Sequence, residues 1–422
     1  MTAVRNFPEN TGSAARQATA SNRTARVLSD RAAGEAYVAS VCFKHGPPKL
    51  LGVELEYTVH HEEDPRRPLD PDHLAAALGP HTPRTLRPGS PAKVLPGGSP
   101  LSLEPGCQVE ISALPQPSLR ELAEVVSADL AYLTDLLARH GLRLGESGID
   151  AFRSPVRKLH TERYAAMERR FAPLGDGGIT MMAATAGLQI CVDAGEAGQV
   201  GQRWAAAHAV GPPLIATFAN SSRHAGRETG FASARWLAVM RTEEARTYAS
   251  GRSRDPAAEW ASRIMDTPLM VLPRENRPWD APAGLTFAEW IDDGAAAGLT
   301  ERPTEDDLAY HLSTMFTPVR PQGYLEVRYL DAQPGTSWLH PVALFTALFA
   351  RPSTVERLLE ICEPVADRWE AAARDGLRDP EIAAVAREVV DLGCAELTSV
   401  DLPPETIAEI TESVQKRVRV KE

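Results

Sequence analysis

The sequence predicts an α+β fold in which helices pack on one side of an antiparallel sheet. Four stretches show the alternation of apolar and polar residues that is typical of strands, and helical insertions of unequal length separate them. A parallel sheet would instead show a regular strand–helix rhythm, because a crossover between parallel strands usually contains a helix. After Pro341 the pattern is helical, with segments at residues 342–350, 354–373, 380–392 and 404–417.

The chain of 422 residues can bury one large core, and we expect residues 29–422 to form a single domain with a helical C-terminal third. Residues 1–28 are rich in Ala, Thr, Ser, Arg and Asn and lack the apolar segment of a signal peptide, which predicts a disordered extension. No run of about 18 apolar residues is present, so we expect no membrane span and a cytoplasmic protein. The net charge of −11 argues against a nucleic-acid partner, and nothing implies a protein partner.

The clearest single element is a helix over residues 118–140. Ser118 and Glu121 form a capping box at its start, and Gly141 ends it. Shorter helices are predicted at residues 29–41, 72–78 and 199–210, and strands at residues 50–60, 101–114, 180–193 and 324–330. His60 and His61 are adjacent near the end of the first strand and are expected to be surface residues.

The first strand carries two glutamates on one face. Its apolar residues alternate and predict a buried face, so Glu54 and Glu56 project together from the opposite face, roughly 7 Å apart. Two like charges at that spacing repel each other unless solvent or a cation separates them. A solvated strand face is the simpler explanation for this pair alone.

The second strand region repeats the pattern around a bend. Glu104 precedes Pro105 and Gly106, while Glu110 follows them on the polar face of the next stretch. A turn at Pro-Gly would let both carboxylates approach one point. An edge strand with a polar outer face would explain the same residues.

The third and fourth strands add neutral and cationic groups. Thr185 and Gln189 share one face of the third, where Gln189 could donate a hydrogen bond to a ligand; simple packing explains it equally well. Glu326 and Arg328 share one face of the fourth. They could form an ion pair, or Glu326 could bind a metal while Arg328 binds a phosphate or carboxylate.

Together the strands predict an acidic face that suits Mg²⁺ with a nucleotide, because Mg²⁺ prefers carboxylate and phosphate oxygens. The loop over residues 219–236 adds Arg223, Arg227 and Arg235 between small residues. Such arginines could hold an amino acid carboxylate or stabilise a phosphoryl group in transfer, or they could be solvated surface. The sequence contains no Walker phosphate loop, dinucleotide fingerprint or nucleophile elbow.

Five segments resemble the glutamate–cysteine ligases of the plant and bacterial carboxylate–amine ligase type, in the family's order. These segments are GVELEY (52–57), LEPGCQVEIS (103–112), TAGLQICVD (185–193), ANSSRHAGRETGFASARW (219–236) and YLEVRYLDAQP (324–334). The whole chain most resembles the actinobacterial members that make γ-glutamylcysteine for ergothioneine synthesis. The resemblance implies a fold related to glutamine synthetase, with a curved sheet that forms a half-open funnel.

The resemblance also implies roles for individual residues. Arg235 matches the arginine that contacts the glutamate substrate, and Arg328 matches one near the phosphates, so both are catalytic candidates. Gln189 takes the place of a polar residue on the third strand and, with Arg328, is a candidate for binding the nucleotide. Thr185 and Arg227 are further substrate-binding candidates, and the loop's departure from the family pattern makes Arg223 and Arg227 the weaker assignments. Cys107 stands where the family usually has a second glycine. The implied magnesium ligands are Glu54, Glu56, Glu104, Glu110 and Glu326.

The function expected from this resemblance is ligation of the γ-carboxylate of L-glutamate to the amine of L-cysteine, with ATP as co-substrate and Mg²⁺ as cofactor. Residues 29–422 would be the single catalytic domain, and γ-glutamyl phosphate would be the intermediate. Two alternatives stay open at this stage. One is a ligase of the same fold with a different amine acceptor, and the other is a non-catalytic protein that binds a metal or nucleotide.

Overall fold

The structure is a computed structural model, and it describes residues 26–419. Its strands, in chain order, are β1 Leu51–Tyr57, β2 Val59–His61, β3 Leu101–Leu103, β4 Val109–Ser112, β5 Leu142–Leu144, β6 Gly187–Val192, β7 Arg223–His224, β8 Arg227–Glu228, β9 Val319–Pro321 and β10 Leu325–Asp331. Six of them form one sheet in the order β3-β4-β1-β6-β10-β9. Every neighbouring pair in it is antiparallel, as predicted.

The described residues also form α-helices. Their bounds are α1 Arg31–Cys42, α2 Pro71–Leu78, α3 Leu119–Ala138, α4 Glu162–Phe171, α5 Gly177–Ala184, α6 Val200–Ala209, α7 Gly211–Phe218, α8 Ala234–Met240, α9 Glu244–Thr247, α10 Pro256–Asp266, α11 Phe287–Asp293, α12 Glu305–Leu312, α13 Leu339–Leu348, α14 Pro352–Cys362, α15 Trp369–Asp375, α16 Pro380–Glu396 and α17 Pro404–Val418. No helix of residues 26–419 is long and apolar enough to cross a membrane. The mixed α/β architecture with an antiparallel sheet is confirmed, while the funnel shape and the relation to glutamine synthetase stay predictions.

The strand register puts the polar residues of four strands on one face of the sheet. Glu56 lies opposite Glu110 and Glu54 lies opposite Gln189. A register shift in β10 between Val327 and Leu330 bends the ladder beside Gln189. The other face carries the alternating apolar residues, which belong to one continuous core that extends from Leu28 to Val418.

Two predicted elements are wrong in part. The segment predicted as a strand over residues 180–193 is the helix α5 up to Ala184, and the strand begins only at Gly187. Its run of small and apolar residues has no clear period of two, so helix and strand cannot be distinguished there by pattern. The helix predicted over residues 354–373 ends at Cys362, because Pro364 has no backbone N–H to continue it.

His60 and His61 are buried, at 2% and 5% exposure, so their placement on the surface is wrong. Strand β2 pairs with β5, and the chain from Pro65 to Pro68 covers it. Their rings lie 3.3 Å from the Pro65 and Pro68 carbonyl oxygens, respectively. An adjacent pair can therefore be buried on both faces of a short strand.

Residues 1–25 of the predicted disordered extension lie outside the described residues. Residues 26–28 do not belong to such an extension. The Leu28 N–H donates to the carbonyl of Pro303 at 2.9 Å, and the Leu28 side chain is buried in the core.

Candidate active site

Three of the five predicted metal ligands converge on one point. One carboxylate oxygen from each of Glu56, Glu104 and Glu110 lies within 4.8 Å of the other two. Glu56 and Glu110 are direct cross-strand partners on β1 and β4. Glu104 follows β3 and reaches the same point through the turn that joins β3 to β4. We name this group the glutamate triad.

The turn that delivers Glu104 packs closely against the end of α5. A Cβ at Gly106 would lie 2.1 Å from the carbonyl oxygen of Ala183, so only glycine fits there. The side chain of Gln108 accepts from the Gly106 N–H at 2.9 Å and donates to the carbonyl of Thr185 at 2.9 Å. Cys107 has a φ of 67°, in the left-handed region that favours glycine. The sequence around the bend therefore fixes where Glu104 points.

The triad has the electrostatics of a cation site. Burial and the charge of Glu56 raise the pKa of Glu104 to about 7. Burial and the charges of Glu104 and Glu56 raise the pKa of Glu110 to about 8. Oxygen donors that repel one another in a partly buried site fit a hard divalent cation such as Mg²⁺, which would remove the repulsion.

Glu54 and Glu326 lie on the same face but outside the triad. Burial and the charges of Glu110 and Glu326 raise the pKa of Glu54 well above its usual range. Glu326 is bound by arginines: Arg320 Nε donates to it at 2.6 Å, and Arg328 Nη1 lies 3.2 Å away. Burial alone would raise the pKa of Glu326, but the two arginines outweigh burial and lower it to about 2.

A neutral amide connects the triad to these arginines. Gln189 donates from Nε2 to Glu56 at 2.9 Å, and its Oε1 accepts from Arg328 at 2.6 Å. Glu56 also accepts from the Gly187 N–H at 2.6 Å. Gln189 therefore orients two charged groups on this face at once, the carboxylate of Glu56 and the guanidinium of Arg328.

Arg235 enters the same region from the first turn of α8. Its Nη1 donates to the carbonyl of Arg328 at 2.7 Å. A Cβ at Gly187 would lie 2.2 Å from Nη2, so the guanidinium passes where only glycine leaves room. Its Nε is buried and has no hydrogen-bond partner among residues 26–419. Arg235 also lines the cleft beside the triad, where a guanidinium can bind a planar oxyanion such as a carboxylate.

Several of the residues described above line one cleft, which has about 790 Å³ of empty space, part of it open to solvent. Its polar lining includes Glu56, Glu104, Gln189, Arg235 and Arg328. An apolar wall faces them from α4, α5, α8 and the segment before β9. We name this the methionine wall, and it consists of Met167, Met181, Met182, Val239 and Phe316.

The cleft also contains residues that the sequence interpretation missed. Arg320 on β9 lies directly across from Glu326, and Arg163 on α4 donates to Ser313 Oγ at 3.1 Å. The Gln322–Gly323 turn between two strand-like stretches was a usable signal for the β9–β10 hairpin, and hence for Arg320. Arg163 lies on α4, a helix that the sequence pattern does not predict.

Two further candidates have different positions. Thr185 lines the cleft, but its Oγ1 donates to the Met181 carbonyl at 2.5 Å and closes the last turn of α5. Arg227 is exposed on β8 and is not among the residues that line the cleft. The geometry gives Arg227 no support as a substrate ligand, and both roles stay predictions.

Known proteins match this sequence over almost the whole chain. A family model described as glutamate-cysteine ligase family 2 (GCS2) matches residues 50–419. The glutamate–cysteine ligase EgtA of Mycolicibacterium smegmatis is 36% identical over 389 residues, or 90% of this chain and 88% of that protein. EgtA of Mycobacterium tuberculosis is 35% identical over 90% of this chain and 85% of its own length.

More distant relatives come from plants. The chloroplastic glutamate–cysteine ligase of Arabidopsis thaliana is 26% identical over 288 residues, which cover 67% of this chain and 54% of that protein. Among solved structures, a glutamate–cysteine ligase from Francisella tularensis in complex with AMP covers 89% of this chain and 82% of its own, at 12% identity and a TM-score of 0.45.

Proposed function

The chain belongs to glutamate–cysteine ligase family 2 and is a glutamate–cysteine ligase, and we propose that its acidic cleft joins the γ-carboxylate of L-glutamate to the amine of L-cysteine with ATP and Mg²⁺. The observation that carries this assignment is the convergence of the glutamate triad with Arg235 and Arg328 in one cleft. A cation site beside two arginines suits a reaction in which phosphate and carboxylate groups meet.

The chemistry needs two steps because a carboxylate is a poor electrophile. An oxygen of the γ-carboxylate attacks the γ-phosphorus of ATP, ADP leaves, and γ-glutamyl phosphate forms. The amine nitrogen of cysteine then attacks the acyl carbon, the bond from that carbon to the phosphate oxygen breaks, and the amine loses a proton. The products are γ-glutamylcysteine, ADP and phosphate.

The glutamate triad would hold Mg²⁺, which neutralises charge on the phosphates of ATP when bound. Glu54 stays a proposed further ligand, and so does Glu326, although its carboxylate is bound to arginines in this structure. Arg328 would contact the phosphates, and Gln189 would keep it oriented through its amide oxygen. Arg235, which lines the cleft, would bind the α-carboxylate of glutamate.

The methionine wall supports a thiol-bearing acceptor. Thioether sulfurs and aromatic edges are soft and polarisable, and they contact a thiol favourably. The side chain of cysteine would lie along this wall while its amine points toward the acyl phosphate. The similarity to the EgtA proteins suggests that the product supplies ergothioneine synthesis.

The test is a product assay with glutamate whose γ-carboxylate carries oxygen-18. With ATP, Mg²⁺ and cysteine, we expect γ-glutamylcysteine by mass spectrometry and one labelled oxygen in the released phosphate. Unlabelled phosphate would contradict the acyl phosphate.

The two alternatives are separated by the same assay with other amines. Serine differs from cysteine only by oxygen in place of sulfur, and it is the matched competitor. Equal rates with serine would favour a ligase of different acceptor specificity. A chain that binds ATP without any product would be a non-catalytic relative.

A further inference from the structure

A buried carboxylate behind Arg235 has no part in the chemistry described above. Asp331 ends β10 and is 2% exposed. Its oxygens accept from the Asn220 N–H at 2.8 Å, from Ser221 Oγ at 2.7 Å and from Ser233 Oγ at 2.8 Å. All three donors belong to the segment that leads into α8, so one carboxylate fastens that segment to the sheet.

The same two serines also accept hydrogen bonds from backbone N–H groups at the start of α8. Ser221 Oγ accepts from the backbone N–H of Arg235 at 3.1 Å. Ser233 Oγ accepts from the N–H of Trp236 at 3.2 Å and is the N-cap of the helix. The backbone of Arg235 is therefore one hydrogen bond away from a serine that Asp331 holds.

The other end of Arg235 is attached to the same strand. Its guanidinium donates to the carbonyl of Arg328, three positions before Asp331 on β10. Arg235 thus has its backbone and its guanidinium held to β10, and the narrow passage beside Gly187 leaves it little freedom. Burial lowers the pKa of Arg235, and the negative charges of Glu56 and Asp331 oppose that effect.

We propose that Asp331 is a positioning residue that, through Ser221 and Ser233, holds Arg235 where its guanidinium meets the α-carboxylate of glutamate. The inference rests on the proposed function of Arg235. Asparagine cannot replace the aspartate fully, because its NH₂ group removes one of the accepting positions and its side chain has no charge. A shift of about 1 Å in such a group can change catalytic efficiency by about 100-fold.

The experiment measures kcat and the KM for glutamate, cysteine and ATP in Asp331→Asn and Ser233→Ala. We expect the KM for glutamate to rise about tenfold or more, with the KM for ATP changed less than about twofold. Ser233→Ala keeps the carboxylate of Asp331, so the proposal can still be tested with this variant if Asp331→Asn does not fold. In an Arg235→Lys background, Ser233→Ala should add little further to the glutamate KM, because the serine acts through Arg235.

Asp129→Asn is the matched control for loss of a buried carboxylate. Asp129 is fully buried on α3, accepts from the Gly97 N–H at 2.6 Å and does not line the cleft. We expect it to lower the melting temperature and leave every KM unchanged. If Asp331→Asn and Ser233→Ala behave like this control while Arg235→Lys raises the glutamate KM, the positioning role is wrong. If Arg235→Lys leaves the glutamate KM unchanged, the proposed role of Arg235 fails first.

Discussion

The glutamate triad and Glu326 lie on the same side of the sheet, and their negative charges are balanced in different ways. Within residues 26–419 no arginine or lysine forms an ion pair with the glutamate triad, and burial and mutual repulsion raise the pKa of Glu104 to about 7 and that of Glu110 to about 8. Glu326 is buried in the sheet at 1% exposure, but Arg320 and Arg328 lower its pKa to about 2. The difference supports the proposal that the triad binds a metal cation, whereas Glu326 is already paired with arginines of the chain itself.

The largest effect should follow from breaking the triad. Glu104→Gln keeps the size of the side chain and removes one charge, so Mg²⁺ loses an anionic ligand. We expect kcat/KM to fall by at least on the order of 100-fold, since even groups that only support a metal ligand are worth about 10-fold to 100-fold. Steady-state assays at several Mg²⁺ concentrations measure the loss, and Mn²⁺ titration by electron paramagnetic resonance measures the binding directly.

Glu62→Gln is the matched control, because Glu62 is exposed and follows β2 away from the triad. It should leave both activity and Mn²⁺ binding unchanged. Equal Mn²⁺ affinity in Glu104→Gln and the wild type would show that the triad is not the metal site.

The second effect concerns the paired glutamate. Arg320→Gln removes the arginine that binds Glu326 through Nε at 2.6 Å and Nη2 at 3.1 Å. Breaking a buried ion pair on one side costs about 3–5 kcal/mol, and we expect less than about 3 kcal/mol here because Arg328 remains beside Glu326. Urea unfolding without Mg²⁺ measures the change in the free energy of unfolding.

The double variant Arg320→Gln with Glu326→Gln removes both charges and should recover part of that stability. Arg139→Gln, which breaks an exposed pair with Asp135, should change stability by less than about 1 kcal/mol. If the single variant at Arg320 is as stable as the wild type, then Arg320 does not balance the charge of Glu326.

The site could be predicted from the sequence wherever a residue's position follows from its own strand. Alternation alone put Glu54 and Glu56 on a common face, and the bend at Pro105 brought Glu104 back toward it. The arginine content of the loop before α8 pointed to Arg235, although it did not separate that residue from the exposed Arg227. Burial, which distinguishes them, depends on how the loop packs against the sheet.

What could not be predicted depends on partners far away in the chain. The pairing of Arg320 with Glu326 requires the β9–β10 hairpin, and the anchoring by Asp331 requires contacts with residues about 100 positions earlier. The helix α5 was missed because its residues are small and apolar and suit either a helix or a strand. Local pattern carries no information on which distant backbone or side chain completes a hydrogen bond.

The smallest effect is the pH dependence of stability, and it distinguishes the two groups of glutamates in one experiment. A carboxyl whose pKa is raised by folding stabilises the protein most below its unfolded pKa, near the ordinary value of 4.5, and that stabilisation is lost as the pH rises through the folded pKa. For Glu104 and Glu110 the loss falls between about pH 5 and pH 8. Glu326 has a lowered pKa, so its contribution is lost only as the pH falls below 4.5 toward about 2.

Without Mg²⁺, the melting temperature should therefore fall by several degrees as the pH rises from about 5 to 8. Saturating Mg²⁺ should flatten this slope, because bound cation favours the ionised carboxylates that the rising pH creates. Glu110→Gln, which cannot ionise, should flatten it without Mg²⁺, whereas Glu326→Gln should leave it unchanged. An equal slope with and without Mg²⁺ would mean that the raised pKa values of Glu104 and Glu110 have no connection with cation binding. Their contrast with Glu326 would then reflect only the arginine neighbours of Glu326.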